Sequence, residues 1–188
     1  MSEAGNGSAP APQAAVARAA AAVPAAASGW RWLPLAAAII VADQLIKAWV
    51  VQHFAPLERV QVLRVLDIIL TYNTGAAFSF LSDASGWQRW LFVLLALGVS
   101  AVLIVWMRRL RAAVHGLLAC GLALIVGGAL GNMIDRLTLG RVVDFIHVHW
   151  RQAYFPAFNL ADSAITVGAV VLLIDAWRET RAARQVRG

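Results

Sequence analysis

The sequence predicts an all-α membrane protein with a small β element, in which four transmembrane helices carry a small sheet on the outer membrane surface. Of the 188 residues, 61% are hydrophobic and 14% are charged, whereas an average soluble chain carries about 25% charged residues. The apolar residues are gathered into runs long enough to span a bilayer. Tryptophans and arginines stand at the ends of these runs, as they do in membrane proteins.

Residues 1–29 precede the first apolar run and are rich in alanine, with scattered glycine, serine and proline. They lack the apolar core behind a basic start that marks a secretory signal peptide. We therefore expect a disordered extension here. A four-helix domain should follow at residues 30–178, including a sheet at about residues 52–88, and a basic tail at residues 179–188.

Four apolar segments are each close to the ~20 residues that a helix needs to cross a bilayer. The predicted spans are Leu33–Val51, Leu91–Met107, Ala112–Ile134 and Phe158–Trp177. Tryptophan rings favour the headgroup level, so their positions support these limits. The tryptophans near the span ends are Trp30, Trp32, Trp49, Trp87, Trp90, Trp106, Trp150 and Trp177.

The arginines predict the orientation of the spans, because basic residues concentrate on the cytoplasmic side. They fill the link between the second and third spans and recur in the tail, so both termini are expected in the cytoplasm. Since these arginines flank apolar runs, we interpret the net charge of +6 as a topology signal and exclude nucleic-acid binding. The arginines concerned are Arg108, Arg109, Arg111, Arg178, Arg181, Arg184 and Arg187.

The first outward connection predicts the sheet. Its segment Val60–Phe80 is rich in β-branched and aromatic residues, which favour strands. Asn73, Thr74 and Gly75 supply a turn signal within it. We expect this sheet to lie on the outer surface of the membrane.

Charged side chains inside two of the spans are functional candidates, because burying a charge in a membrane costs at least a few kcal/mol. In the first span, Asp43 and Lys47 lie at i and i+4, where they can pair on one helix face. A structural pair and direct chemistry both remain open for these two. At the end of the third span, Asn132, Asp135 and Arg136 share a face.

The third span also carries the pattern GGALGNMIDR, in which Gly127 and Gly131 are four residues apart. This small-residue spacing permits close helix contact. The plain interpretation of Asp135 and Arg136 is an interfacial charge pair.

Two further carboxylates lie where the third span exits and the fourth enters. Asp144 is flanked by valine, phenylalanine and isoleucine, and an apolar environment disfavours the charged form of a carboxylate. Asn159 can cap the fourth helix, with Asp162 at its third position complementing the helix dipole. Because both acids belong to the outer side, Asp144 and Asp162 are at the same membrane depth and are expected to converge.

Two adjacent carboxylates tend to share one proton. The ionised one can then act as a general base on a water molecule while the protonated one hydrogen-bonds a carbonyl group. This arrangement can hydrolyse a peptide bond without a metal ion or a nucleophilic serine.

No cofactor is expected, because the sequence has no HExxH motif, no Walker loop and no Cys–His pair at the outer face. His53 and His115 lack ligand partners at helical spacing. His147 and His149 lie near Asp144 and could be weak metal ligands, but we interpret both as surface residues. The single cysteine lies inside an apolar run and cannot form an intrachain disulfide.

Five segments resemble, in the same order, the bacterial lipoprotein signal peptidase (signal peptidase II) family: DQLIK, YNTGAAFSF, GGALGNMIDR, VVDFI and FPAFNLADSAI. The resemblance covers about residues 33–178. It implies a four-helix aspartic endopeptidase of the inner membrane, with a small periplasmic sheet and an active site near the periplasmic face. The implied reaction removes the signal peptide of prolipoproteins just before a cysteine that carries diacylglycerol.

The resemblance also implies partners and residue roles. The partners are diacylated prolipoproteins and membrane lipid, and we expect a monomer. Asp144 and Asp162 match the catalytic dyad of the family. The residues matching polar positions that bind or orient the substrate are Asn73, Asn132, Arg136 and Asn159. Those matching supporting positions are Asp43, Lys47 and Asp135.

Two other function classes also fit parts of this pattern. Paired carboxylates in a membrane can relay protons, so the alternative is a small proton-coupled transporter. A relay needs ionisable groups at several depths, and the second span has none between Leu91 and Met107. A non-catalytic scaffold would tolerate asparagine at both Asp144 and Asp162. The sequence therefore favours an enzyme.

Overall fold

Four long helices dominate the computed structural model, which describes residues 27–75 and 86–187. A short 3-10 turn at Gly29–Trp32 leads into the first of them. All four are long and apolar enough to cross a membrane, as the sequence predicted. The helices are α1 (Leu33–His53), α2 (Trp87–Arg109), α3 (Gly116–Leu139) and α4 (Leu160–Arg187).

The helix ends differ from the predicted spans for local reasons. α3 begins at Gly116 because the preceding residues form a turn, in which His115 N donates to Arg111 O at 2.8 Å. α4 begins at Leu160 because Phe158 is still paired with Ile146 as an isolated bridge. At its other end α4 continues through most of the predicted basic tail.

α3 is the central helix and packs against the other three. Its glycines allow this close approach, because a side chain at these positions would meet neighbouring backbone. A Cβ on Gly127 would stand 2.9 Å from Ala36 O of α1, and one on Gly128 would collide with Ala161 O of α4. Gly127 therefore makes the close helix contact that the small-residue spacing predicted.

A four-stranded antiparallel sheet, in the order β1-β2-β3-β4, is built from both of the longer connections. The sheet predicted near residues 52–88 is confirmed by its first two strands, while residues 76–85 lie outside the described part of the chain. No strand was predicted for the connection that supplies the other two. The strands are β1 (Arg59–Leu63), β2 (Leu66–Asn73), β3 (Val142–Trp150) and β4 (Ala153–Tyr154).

The register of β2 and β3 positions Asp144 beside the bundle. Asp144 pairs with Thr71, and Val142 pairs with Asn73, beyond an irregularity in the ladder. Side chains of both strands pack against the end of α1 and fix the sheet there. This second apolar cluster contains Val50, Leu70, Val143 and Phe145.

The residues before α1 pack against the link between α2 and α3. Gly29 N donates to Leu110 O at 3.0 Å, and Ser28 is fully buried. Residues 27–29, which the sequence placed in a disordered extension, therefore belong to the bundle. Residues 1–26 lie outside the described part of the chain.

Candidate active site

A cavity of about 740 Å³ contains both acids of the predicted dyad. Asp144 reaches it from β3 and Asp162 from the first turn of α4. Asp144 is only 3% exposed, so its carboxyl group is almost fully withdrawn from the surface. The cavity is also lined by Asn73, Asn132 and Arg136, and by the apolar side chains of Tyr72, Val142, Phe155, Phe158, Ile165 and Val167.

Asn159 and Asp162 begin α4 as a reciprocal cap. Asp162 N donates to Asn159 Oδ1 at 2.9 Å, and Asn159 N donates to Asp162 Oδ2 at 3.3 Å. Such a pair satisfies two backbone donors at the start of a helix. The capping interpretation is therefore confirmed, and it leaves the second oxygen of Asp162 available for other contacts.

Three asparagines bring neutral donors to the two carboxyl groups. Asn132 Nδ2 donates to Asp162 Oδ1 at 2.7 Å. Asn159 Nδ2 donates to Asp144 Oδ1, also at 2.7 Å, and the side chain of Asn73 forms a further hydrogen bond to Asp144. The structure thus brings all three predicted asparagines into contact with the acids.

The two acids have unequal environments. Burial, followed by the neighbouring charge of Asp162, raises the pKa of Asp144 to about 7, against the lowering effects of Asn73, Asn159 and Lys47. Asp162 is also partly buried, but it lies in the first turn of α4, where the helix dipole favours a negative charge. Environments that differ in this way separate an acid from a base.

A second polar cluster lies behind the dyad, between α1 and α3. Lys47 Nζ is 2.7 Å from Asp43 Oδ2 and 2.8 Å from Asp135 Oδ2. Gln44 Nε2 donates to the other oxygen of Asp135 at 2.8 Å. The predicted pair of Asp43 and Lys47 is confirmed. The charge pair predicted between Asp135 and Arg136 is wrong, since Asp135 pairs with Lys47 instead.

The two carboxylates of this cluster also hold the elements that carry the dyad. Asp43 Oδ1 accepts a hydrogen bond from Ala161 N of α4 at 3.0 Å. Asp135 Oδ2 accepts one from Val143 N of β3 at 3.1 Å. The sequence assigned no role to Gln44; its position directly after Asp43 in DQLIK was the available signal.

Arg136 lies on the cavity wall. Its Nη2 donates to Gly75 O at 3.0 Å, which ties the segment after β2 to α3. Its guanidinium group also stacks over the ring of Phe92, at 4.8 Å from the centroid. Arg136 therefore presents a fixed positive charge to whatever occupies the cavity.

His147 and His149 lie further along β3, where their rings join a side-chain cluster on the sheet. His149 Nε2 is 3.2 Å from Asp67 Oδ1, and the ring of His147 stacks on Tyr154 at 5.2 Å. Burial lowers the pKa of His147. Across residues 27–75 and 86–187, no group of three His, Cys, Asp or Glu side chains could hold a metal ion.

Comparison with known proteins identifies the family. The family described as signal peptidase (SPase) II matches residues 35–178. Lipoprotein signal peptidases of Pseudomonas aeruginosa (strain UCBPP-PA14) and Shewanella halifaxensis (strain HAW-EB4) are 53% and 49% identical to this chain over 159 and 150 residues. The matches cover 84% and 80% of this chain, and 94% and 88% of the relatives.

A solved bacterial membrane enzyme, determined by the in meso method at 2.3 Å resolution, has the same fold. It superposes with a TM-score of 0.71 at 28% identity, over 80% of this chain and 89% of that chain. These matches support a peptidase and give no support to the transporter alternative. This multi-pass bacterial membrane protein therefore belongs to the signal peptidase II family, as its five motifs suggested.

Proposed function

We propose that this member of the signal peptidase II family is an intramembrane aspartic endopeptidase, cutting diacylglyceryl-modified prolipoproteins just before the lipidated cysteine. Family membership supports removal of a signal peptide from prolipoproteins. The observation that carries the aspartic mechanism is that Asp144 and Asp162 line one cavity in unequal environments.

Asp162 is the general base in this mechanism. The helix N-terminus and the hydrogen bonds from Asn132 and Asn159 stabilise its ionised form. It takes a proton from a water molecule held between the two acids, and the water oxygen attacks the carbonyl carbon of the scissile peptide bond.

Asp144 is the general acid. Its raised pKa keeps it protonated in a large part of the population near neutral pH. The protonated carboxyl group donates a hydrogen bond to the carbonyl oxygen, which becomes negative as the tetrahedral intermediate forms. When the intermediate collapses, the proton taken up by Asp162 passes to the leaving amine nitrogen and the C–N bond breaks.

The shape of the cavity supports a lipid-anchored substrate. Ile165 and Val167 of α4 form part of its wall, and Val167 is 52% exposed on the outside of the bundle. The cavity is therefore continuous with the apolar surface that faces the bilayer. The acyl chains of a substrate can stay in the lipid while its peptide reaches Asp144 and Asp162.

We also propose that the protein lies in the inner membrane as a monomer, with both termini in the cytoplasm and the site near the periplasmic face. The exposed arginines of the α2–α3 link and of the end of α4 support this orientation. The sheet and the cavity lie at the opposite end of the helices.

The direct test is cleavage of a diacylated prolipoprotein peptide by the purified full chain, in the presence of a metal chelator. Asp144→Asn and Asp162→Asn should each lower kcat by about 10²- to 10⁴-fold, the usual contribution of a general acid or base. Asp67→Asn is the matched control, because Asp67 is as deeply buried as Asp144 but lies on β2 outside the cavity. Normal turnover by either dyad variant would exclude the aspartic mechanism.

A further inference from the structure

We infer that Lys47 is a positioning residue for the dyad, because its ammonium group fixes the amide of Asn132 with the NH₂ end toward Asp162. Lys47 would thereby help to determine which acid serves as the base. This inference rests on the proposed aspartic mechanism.

The orientation of the Asn132 amide is set by the donors around its oxygen. Lys47 Nζ donates to Asn132 Oδ1 at 3.0 Å, and Asn159 Nδ2 donates to the same oxygen at 3.1 Å. An amide side chain has one acceptor end and one donor end. With Oδ1 occupied by two donors, Nδ2 is left to donate to Asp162 Oδ1, at 2.7 Å.

The reversed orientation of Asn132 would be unfavourable at both ends. Its NH₂ group would face the ammonium of Lys47, where two donors meet without an acceptor. Its carbonyl oxygen would face Asp162, where two acceptors meet while that acid is ionised. Lys47 thus selects the orientation in which Asn132 stabilises the base.

The ammonium group is itself held in place by the other two members of its cluster. Lysine has three hydrogens to donate, and Lys47 has three close acceptors: Asp43, Asp135 and Asn132. All three charged side chains are at most 3% exposed. Since two anionic oxygens fix two of the donor directions, the third hydrogen is directed at Asn132.

The desolvation cost of buried charges can exceed their mutual attraction, so a buried ion cluster is consistent with a role besides stability. The contact with Asn132 supplies one. Further hydrogen bonds connect Asn132 to Asn159, and Asn159 to Asp144. The positive charge also reaches Asp144 directly, since Lys47 lowers the pKa of that acid.

The test compares pH–rate profiles of Lys47→Met and Lys47→Arg with that of the unmodified chain, using the same diacylated peptide. Lys47→Met should lower kcat by about 10- to 100-fold, the size of loss seen when an outer-shell partner of a metal ligand is removed, with little change in KM. Both limbs of its pH–rate profile should move to higher pH, because a positive charge near both acids is lost. Lys47→Arg keeps the charge, so its profile should stay in place.

A merely structural role makes a different prediction. It would lower the amplitude of the Lys47→Met profile without moving either limb, and that result would overturn the inference. So would a Lys47→Arg profile that moves as far as that of Lys47→Met. Ser100→Ala, at a buried hydroxyl on α2 away from the site, controls for loss of a buried polar group and should match the unmodified chain.

If Lys47→Met fails to fold, Asp43→Asn/Lys47→Met takes its place, because this pair leaves the total charge of the cluster unchanged. It still removes the donor to Asn132, so kcat should fall at least 10-fold below that of Asp43→Asn, which keeps Lys47, while the limbs stay near their original pH. Normal kcat in this variant would overturn the inference. The dyad variants are assayed in parallel: if they are inactive while the Lys47 variants are normal, only the role of Lys47 is lost.

Discussion

The two halves of α3 contact different kinds of side chain. Its first half packs Ala119, Leu122 and Val126 into an apolar cluster with Ala36 of α1 and Met107 of α2. Its second half presents buried polar groups to α1, α4 and β3. In a bilayer the first kind of contact gains little from the hydrophobic effect, because lipid tails are as apolar as leucine. Close packing must therefore hold the apolar half together.

The polar half follows a different rule, because an unpaired buried charge is costly. Asp43, Lys47 and Asp135 satisfy one another and also bind backbone groups of α4 and β3. The comparison shows that one half depends on small side chains and the other on complete pairing. The predictions below separate the two requirements.

The largest effect on stability should come from breaking the pairing. Asp43→Ala leaves Lys47 with one carboxylate and removes the partner of Ala161 N. Removing one member of a buried pair costs about 3–5 kcal/mol, so the free energy of unfolding in detergent or bicelles should fall by that amount. Asp43→Asn, which keeps an acceptor for Ala161 N, should cost less. Equal stability of Asp43→Ala and Ser100→Ala would contradict the pairing argument.

A smaller effect should follow from enlarging the close contact at the middle of α3, where its apolar half meets its polar half. In Gly128→Ala the new methyl group would meet Ala161 O, so α3 and α4 must separate. Overpacking of this kind costs about 1–3 kcal/mol, and unfolding of the purified chain measures it.

Gly98→Ala is the control for this change, because a Cβ on Gly98 of α2 would meet no atom from a neighbouring element of the described structure within 4 Å. It should leave stability unchanged or raise it by up to about 1 kcal/mol through better helix propensity. If both alanine variants behaved alike, close contact would not explain the glycine pattern.

The smallest expected effect concerns pH. Because the proposed mechanism needs Asp144 protonated, cleavage should decline as pH rises through its pKa of about 7. The hydrogen bond from Asn73 lowers this pKa, so Asn73→Ala should move the alkaline limb of the kcat profile to higher pH. Asp67→Asn, outside the cavity, should leave the limb in place. Movement of the limb to lower pH in Asn73→Ala would contradict this assignment.

The same pKa has a consequence for stability, with its sign fixed by linkage. The folded protein holds the proton of Asp144 more tightly than the unfolded chain, whose carboxyl group has its ordinary pKa of 3.8. Protonation of Asp144 therefore makes the free energy of unfolding larger at acidic pH than at neutral pH. This contribution is lost as pH rises from 3.8 through about 7.

Much of the architecture could be predicted because membrane spans are local in sequence. The length and hydropathy of the apolar runs were enough to predict four helices, and the β-branched residues were enough to predict the part of the sheet formed by β1 and β2. β3 was missed although VVDFIHVHW is also rich in β-branched residues. In the sequence this segment stands out only as the apolar environment of Asp144, and its pairing with β2 is a long-range contact that sequence spacing does not encode.

The partner of Asp135 shows the same limit at the level of one side chain. Adjacent residues on a helix point in different directions, so the side chains of Asp135 and Arg136 contact different neighbouring elements. Asp135 faces Lys47 of α1 and Arg136 faces the end of β2. The sequence could identify the charged residues of the site but not which of them meet across helix interfaces.

The cap that starts α4 has a consequence for biosynthesis. Asn159 and Asp162 stand at the start of α4, which follows α1, α2 and α3 in the chain, so their contacts to Asn132 and Asp144 need α4 to be packed against the earlier elements. Under the proposed mechanism, a chain caught midway through translocation has no base and cannot cut nearby precursors. Proteolytic competence and completed assembly would thus arise in a single event.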